Sequence, residues 1–192
     1  MSSAVKTKLA TAEYLAFERL SSTKHEFFGG DVFAIAGGSP EHSIIATNFA
    51  AEARAALKER PCAVFNSDLR GKVKPTGLYS DPDVTIVCGQ QEFDDDQGDT
   101  LVNPTVLIEV LSKSTAACDR GTKSKHYRKI ESLKALLFIE QDCPCVEMIR
   151  LQPKGNWVLS DATELSESIR PFTRSWIREN SAGSEFLRIQ RQ

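Results

Sequence analysis

The chain has 192 residues, of which 41% are hydrophobic and 26% charged. This supports a single domain with a buried core and excludes a disordered chain. Lys and Arg number 24 against 26 Asp and Glu, a formal charge of −2, so a histone-like protein coating nucleic acid through bulk charge is excluded. No run reaches the ~18 apolar residues of a spanning helix, and Met1 to Phe17 has no apolar signal-like stretch. The expectation is a cytoplasmic protein with no membrane association.

Thr11 to Leu20 predicts a short helix, with Thr11 as its N-cap and Tyr14, Leu15, Phe17 and Leu20 on one broad side. Lys24 to Phe28 and Asp31 to Ile35 flank Gly29-Gly30, a hairpin signal. Ser39-Pro40 then opens a long helix. Serine suits the N-cap, and proline suits the first helical position, where its missing N–H is not needed. Ile45, Phe49, Ala53, Ala56 and Leu57 form its apolar stripe, and Pro61 ends it.

Strand-like runs follow at Cys62 to Leu69, Asp83 to Cys88 and Thr105 to Leu111, the last two separated by an acidic loop from Glu92 to Asp99. Asp119 to Ile130 predicts a charged helix. Ala135 to Glu140, Val146 to Leu151 and Trp157 to Leu159 predict further strands. The tail beyond Ser166 is weakly patterned. The order predicts a mixed α/β (α+β) domain with one central mixed sheet flanked by helices, and an N-terminal helix and β-hairpin.

Five cysteines, an odd number in a chain without a leader, predict reduced thiols. Cys143-Pro144-Cys145 is the one close pair. With no second knuckle to complete four zinc ligands, it reads as strand-edge or turn cysteines.

The informative residues are acids set in apolar strands. Asp83 opens Val84-Thr85-Ile86-Val87, and Glu109 interrupts Val106-Leu107-Ile108 and Val110-Leu111. A continuous apolar run marks a strand covered on both faces. A carboxylate there must be paired, protonated or bound to a metal, because burying it alone costs several kcal/mol. For one isolated acid a structural ion pair is the better reading. Two acids on successive core strands, followed by a basic helix, favour a site. Mg²⁺ or Mn²⁺ takes one or two protein carboxylates plus waters and substrate phosphate. The helix supplies Arg120, Lys123, Lys125, Arg128 and Lys129. Asp119, Lys123 and Tyr127 are spaced by four and share a face. Lys125 and Lys129 read as solvated.

At these residues the sequence resembles the Uma-two family of restriction-endonuclease-like proteins, within the PD-(D/E)xK nuclease superfamily. The likeness is carried by Pro82-Asp83, Ile108-Glu109-Val110-Leu111-Ser112, Ser114-Thr115, Asp119, Lys123 and Tyr127. Upstream it includes His25-Glu26, Ala36-Gly37-Gly38, His42 and Phe65-Asn66-Ser67-Asp68-Leu69-Arg70. It spans roughly residues 10 to 160 of a single domain, leaving 167–192 as a C-terminal extension.

The resemblance implies a restriction-endonuclease-like core and a metal-dependent endonuclease acting on DNA. Asp83 and Glu109 would bind Mg²⁺ or Mn²⁺, Lys123 would be the catalytic lysine, and Glu26 an auxiliary acid. Asp119 and Tyr127 would orient Lys123, while Asp68 is a motif residue whose role stays open. The superfamily's usual lysine position holds Leu111, so the lysine must come from the following helix; Lys113 is a nearer competitor. Asp81 adds an acid where the family more often has an uncharged residue. Thr122 and Ser124 flank Lys123 in place of the usual acidic and apolar residues. A homodimer is implied by analogy with enzymes that cut two strands. The rival reading is a catalytically silent module on the same fold that binds nucleic acid or protein.

His42 reads as a helix-start histidine hydrogen-bonded to a nearby carboxylate or backbone. His25 and His126 read as surface residues. Arg70, Lys72 and Lys74 alternate and would point one way if extended, giving either a phosphate-contacting patch or a solvated hairpin. The acidic loop would repel DNA and is expected away from any groove.

Overall fold

A computed structural model describes residues 8–162 and, beyond them, the backbone of 168–169 and 187–188. The first helix, α1, is Thr11–Leu20. Its cap is Ala10, one residue before the predicted Thr11, and the Glu13 carboxylate accepts from the Ala10 N–H at 2.7 Å. Tyr14, Leu15 and Glu18 face inward. Phe17 and Leu20 lie outside, so the buried face is narrower than the apolar pattern suggested. The hairpin is β1 (His25–Phe28) and β2 (Asp31–Ala34). Its turn uses glycine because φ is +59° at Gly29 and +91° at Gly30. The long helix α2, Pro40–Ala56, is capped by the Ser39 hydroxyl, which accepts from the His42 N–H.

The remaining strands are β3 (Cys62–Asn66), β4 (Arg70–Val73), β5 (Leu78–Ser80), β6 (Val84–Cys88), β7 (Thr100–Leu101), β8 (Val106–Leu111), β9 (Ala135–Glu140), β10 (Val146–Leu151) and β11 (Trp157–Ala162). They form two mixed sheets, not the single central sheet expected. One has the order β11-β10-β9-β8-β6-β3 and the other β2-β1-β5-β4-β7. The second sheet contains the expected β1–β2 hairpin; its other strands, β4, β5 and β7, escaped the sequence reading because they are only two to four residues long and carry little apolar alternation. A separate antiparallel pair joins 168–169 to 187–188; the rest of the predicted extension lies outside the described residues.

The six-stranded sheet is apolar on both faces. Val106, Ile108 and Val110 of β8 pack with Val84, Ile86, Ala53 and Leu57 on the α2 side. Leu107 and Leu111 pack with Tyr127, Ile130 and Leu133, and with Val73 and Leu78 of the second sheet. On the outside of that sheet, α1 stacks Tyr14 and Leu15 on Phe27 and Tyr79.

The predicted charged helix starts earlier and ends sooner than expected. It comprises α3 (Ala116–Cys118), a π-helical turn (Asp119–Lys123) and α4 (Ser124–Tyr127). The Ser124 N–H reaches back to the Asp119 carbonyl, five residues away. Such wide turns inside helices are found mostly at functional positions.

Three expectations are corrected. The five thiols become two disulfides, Cys62–Cys88 and Cys143–Cys145, with Cys118 the free cysteine among the described residues. Cys62 and Cys88 are register partners across β3 and β6. His25 is buried, its Nδ1 2.8 Å from Glu18 Oε2, because β1 turns it toward α1. Arg70 and Lys72 are not a free basic patch. The acidic loop folds onto them and onto Arg19: Asp94 holds Lys72 at 2.8 Å, Asp99 lies 3.8 Å from Arg70, and Asp95 and Asp99 grip Arg19. Among the described residues no helix is long and apolar enough to cross a membrane.

Candidate active site

Side-chain alternation sets Glu109 on the face of β8 opposite α2, toward Tyr127 and the second sheet. Antiparallel pairing aligns Val84 with Ile108. Continued one residue, that register sets Asp83 opposite Glu109. On β1 the inward partners His25 and Phe27 face α1, so Glu26 takes the other face, toward the helical segment.

The acids meet at Lys123. Its Nζ lies 2.8 Å from Glu26 Oε1, 3.1 Å from Glu109 Oε1 and 3.1 Å from Asp119 Oδ1. The Lys123 side chain is only 12% exposed and that of Glu109 only 5%. An ammonium has three N–H donors, and each has a carboxylate from a different element. Tyr127 donates to Glu109 Oε1 at 2.7 Å, and the buried Ser80 hydroxyl lies 3.0 Å from the Tyr127 oxygen. Asp83 Oδ2 accepts from the Val110 N–H at 2.7 Å and lies 3.2 Å from His42 Nε2.

These contacts perturb the ionisations. Burial pushes the Glu109 carboxyl up to about 8; Lys123 pulls it down, while Asp83 and Asp119 repel its charge and raise it further. Burial also raises Asp83, against the pull of the Val110 N–H, His42 and Lys123. Burial alone would lower Lys123, but Glu109, Tyr127, Glu26 and Asp119 hold it well above its ordinary value. Burial and Glu109 hold the Tyr127 phenol neutral, well above the usual range. Asp81 adds one more acid nearby. Burial raises it to about 6, Arg70 and Lys24 lower it, and Glu18 and Glu26 raise it; its Oδ2 has no hydrogen-bond partner.

The structure thus brings Glu26, Glu109, Asp119, Lys123 and Tyr127 together, with Asp83 and His42 alongside. His42 meets a carboxylate, as the sequence suggested, and that carboxylate is Asp83. Asp68 stands apart: its side chain is 77% exposed and bound by Lys24 and Asn66. Lys113 is 91% exposed and pairs with Asp142, outside this cluster. Two contributors went unseen in the sequence. Ser80 gave no signal beyond its place before the Asp81-Pro82-Asp83 run, and Gln141, which bridges two site-bearing elements, gave none at all.

Asp83 and Glu109 are the two carboxylates here that could contribute oxygen ligands to a hard divalent cation. Among the described residues, the hydrogen bonds and ion pairs on these two acids fall on Glu109 Oε1 and Asp83 Oδ2. The second oxygens, Glu109 Oε2 on β8 and Asp83 Oδ1 just before β6, are the atoms that could serve as such ligands. No group of three or more His, Cys, Asp or Glu side chains among the described residues is arranged to hold a metal ion. The set present is two carboxylates, the number Mg²⁺ uses when waters and a phosphate complete its shell.

Comparison with known proteins identifies the family and the fold. The family profile Uma2, described as "Putative restriction endonuclease", matches residues 11–177. Two uncharacterized proteins of Synechocystis are each 33% identical to this chain. One aligns over 163 residues, 82% of this chain and 85% of its own length; the other over 156 residues, 81% and 88%. A crystal structure described as a putative nuclease of the DUF820 family, from Anabaena variabilis, superposes with a TM-score of 0.71. It covers 94% of this chain and 95% of that one at 18% identity, a likeness of fold.

Proposed function

The chain belongs to the Uma2 restriction-endonuclease family, and from that premise we propose that it is a metal-dependent endonuclease that hydrolyses DNA phosphodiester bonds. The observation that carries the reading is the buried Lys123 ammonium held by acids from β1, β8 and the π-turn, beside Asp83.

Asp83 and Glu109 would hold Mg²⁺ or Mn²⁺. When bound, such an ion lowers the pKa of a coordinated water and neutralises charge on the scissile phosphate. The remaining roles belong to this chain's own groups. Lys123 stays protonated and offers its charge to the phosphoryl oxygens, a preorganised electrostatic contribution. Glu26 and Asp119 fix the ammonium from two sides. Tyr127 acts through Glu109, holding that carboxylate in one rotamer rather than touching Lys123 by a hydrogen bond. Glu26 is also the auxiliary acid that can accept a proton from attacking water. His42 and the Val110 N–H fix Asp83 in the same way.

The test is cleavage of supercoiled plasmid with Mg²⁺ or Mn²⁺ by the natural chain and by Asp83→Ala, Lys123→Ala and Lys113→Ala. The first two should lose on the order of 10²-fold or more in rate, and Lys113→Ala should keep the natural rate. Equal cleavage by all four would identify a contaminating nuclease and overturn the assignment.

One observation favours the alternative, a silent binding module. Arg70 and Lys72 on β4, the alternating cations expected to contact phosphate, are already paired with Asp99 and Asp94. Calorimetry separates the readings. The enzyme predicts saturable Mn²⁺ binding that disappears in Asp83→Ala; the module predicts none.

A further inference from the structure

We propose that Gln141 is a positioning residue of this site, holding the start of α2 against the end of β8 and thereby holding His42 on Asp83. The functional part of this inference rests on the reading of Asp83 as a site residue; the geometric part does not.

Gln141 follows the last residue of β9, at the turn toward β10. Its Nε2 donates to the carbonyl of Leu111 at 2.7 Å. Leu111 ends β8, two residues past Glu109. Gln141 Oε1 accepts from the Ser39 hydroxyl at 3.0 Å, across 102 residues of sequence. The same hydroxyl accepts from the His42 N–H at 3.1 Å as the cap of α2. His42 Nε2 then lies 3.2 Å from Asp83 Oδ2. Leu111, Gln141, Ser39, His42 and Asp83 form one continuous relay.

The relay needs a primary amide. Leu111 presents a carbonyl and needs a donor. Ser39, already accepting from His42, has its proton to give, and Gln141 Oε1 accepts it at 3.0 Å, with the neighbouring Glu41 carboxylate as the other acceptor of that hydroxyl. A neutral side chain offering both from one fork is Gln or Asn, and here Gln141 makes both bonds. Glutamate would satisfy Ser39 and set a carboxylate oxygen against the Leu111 carbonyl. Alanine would leave the Leu111 carbonyl without this donor and turn the Ser39 hydroxyl to Glu41, releasing the tie between α2 and β8.

The neighbouring residues add to the assignment. Glu140, just before Gln141, and Glu147 on β10 both receive the Arg120 guanidinium. Arg120 lies in the π-turn that carries Lys123. The end of the β9–β10 hairpin therefore ties together three elements of the site: β8 with Glu109, α2 with His42, and the turn with Lys123. The outer partners of metal ligands tune metal affinity by about 10–100-fold when removed.

The experiment is two-dimensional NMR of the histidine rings in the metal-free, full-length protein. The chain has three histidines, and His42→Ala assigns the relevant signals. Gln141→Ala should move the His42 resonances and leave those of His25 and His126 in place. Gln141→Glu should move them less, because the acceptor for Ser39 remains. Mn²⁺ affinity by calorimetry should fall about tenfold in Gln141→Ala, with partial recovery in Gln141→Glu. Thermal melts identify which variants fold, and if Gln141→Ala does not, Gln141→Glu carries the test. Unmoved His42 signals in a folded variant overturn the proposal, since a merely structural amide would change the melt and not that ring. If the natural protein binds no Mn²⁺ while His42 still moves, the metal reading fails and the positioning role stands.

Discussion

Replacing Glu109 by glutamine tests the electrostatics of the site without any assumption about its substrate. Glutamine keeps the size and shape of the protonated acid and removes only its ability to ionise. In the fold, burial pushes the Glu109 carboxyl from 4.5 up to about 8. At about 1.4 kcal/mol per pH unit, the ionised form costs about 5 kcal/mol more in the folded protein than in the unfolded chain, an order-of-magnitude figure. The raised value fixes the sign: below about pH 4.5 both states are protonated and Glu109 imposes no cost. Between about 4.5 and 8 the folded state keeps a proton that the unfolded chain releases, so stability falls as pH rises. Above about 8 the loss is complete. Urea denaturation of both proteins in chelator, from pH 5 to pH 9, measures this. Near pH 5 the two should agree to about 1 kcal/mol. By pH 9 Glu109→Gln should be the more stable by several kcal/mol. Asp81, also raised by burial, titrates in both proteins and cancels, while Asp83 and Lys123 interact with the Glu109 charge, so the difference between the curves reports Glu109 together with its coupling to them. Parallel curves would refute the reasoning, and would mean that Lys123 stabilises the Glu109 carboxylate enough to offset its burial.

Two further predictions concern the scaffold. With Cys62–Cys88 and Cys143–Cys145 bridged, a thiol reagent applied in denaturant without reductant should find one thiol, Cys118, and five after reduction; five at the outset would show that the bridges are not formed. At the hairpin turn, a Cβ at Gly30 would sit 2.6 Å from Lys8 Cβ at φ +91°, whereas Gly29 opens to space at φ +59°. Gly30→Ala should therefore destabilise by about 1–3 kcal/mol and by more than Gly29→Ala, and equal melting temperatures would contradict the turn geometry.

The parts of this site that were legible share one property: their environment is local in sequence. Glu109 stands out because five aliphatic residues surround it in one strand, and that strand is buried on both faces as the run predicts. Asp119 and Lys123 are four apart on one helical segment, and they pair. Glu26 could not be assigned that way. Its strand is four residues long, and only the family likeness singled it out. Ser80 and Gln141 depend on register and on a contact across 102 residues, and neither leaves a local trace. Beyond its β1–β2 hairpin, the second sheet was missed for the same reason. Strand β4 is flanked by β5 and by the two-residue β7, some 30 residues on, so no window of sequence contains it.

Charge was the least local quantity of all. Arg70 and Lys72 alternate as a phosphate-binding strand would, yet their counter-ions come from the loop at Asp94 to Asp99. The near-neutral composition already implied that many cations would be answered somewhere in the fold. The same accounting explains why Lys123 differs from its neighbours. Lys125, Arg128 and Lys129 are exposed, and water screens them. Lys123 is drawn inward because Glu26, Glu109 and Asp119 already stand there, and any of them that is ionised would be a poorly compensated charge without it. Burial of the lysine and burial of the acids are therefore one event. Substituting either side leaves the other to protonate, to lose its proton or to open the site to water, so Lys123→Ala tests the architecture of the cluster as directly as its chemistry.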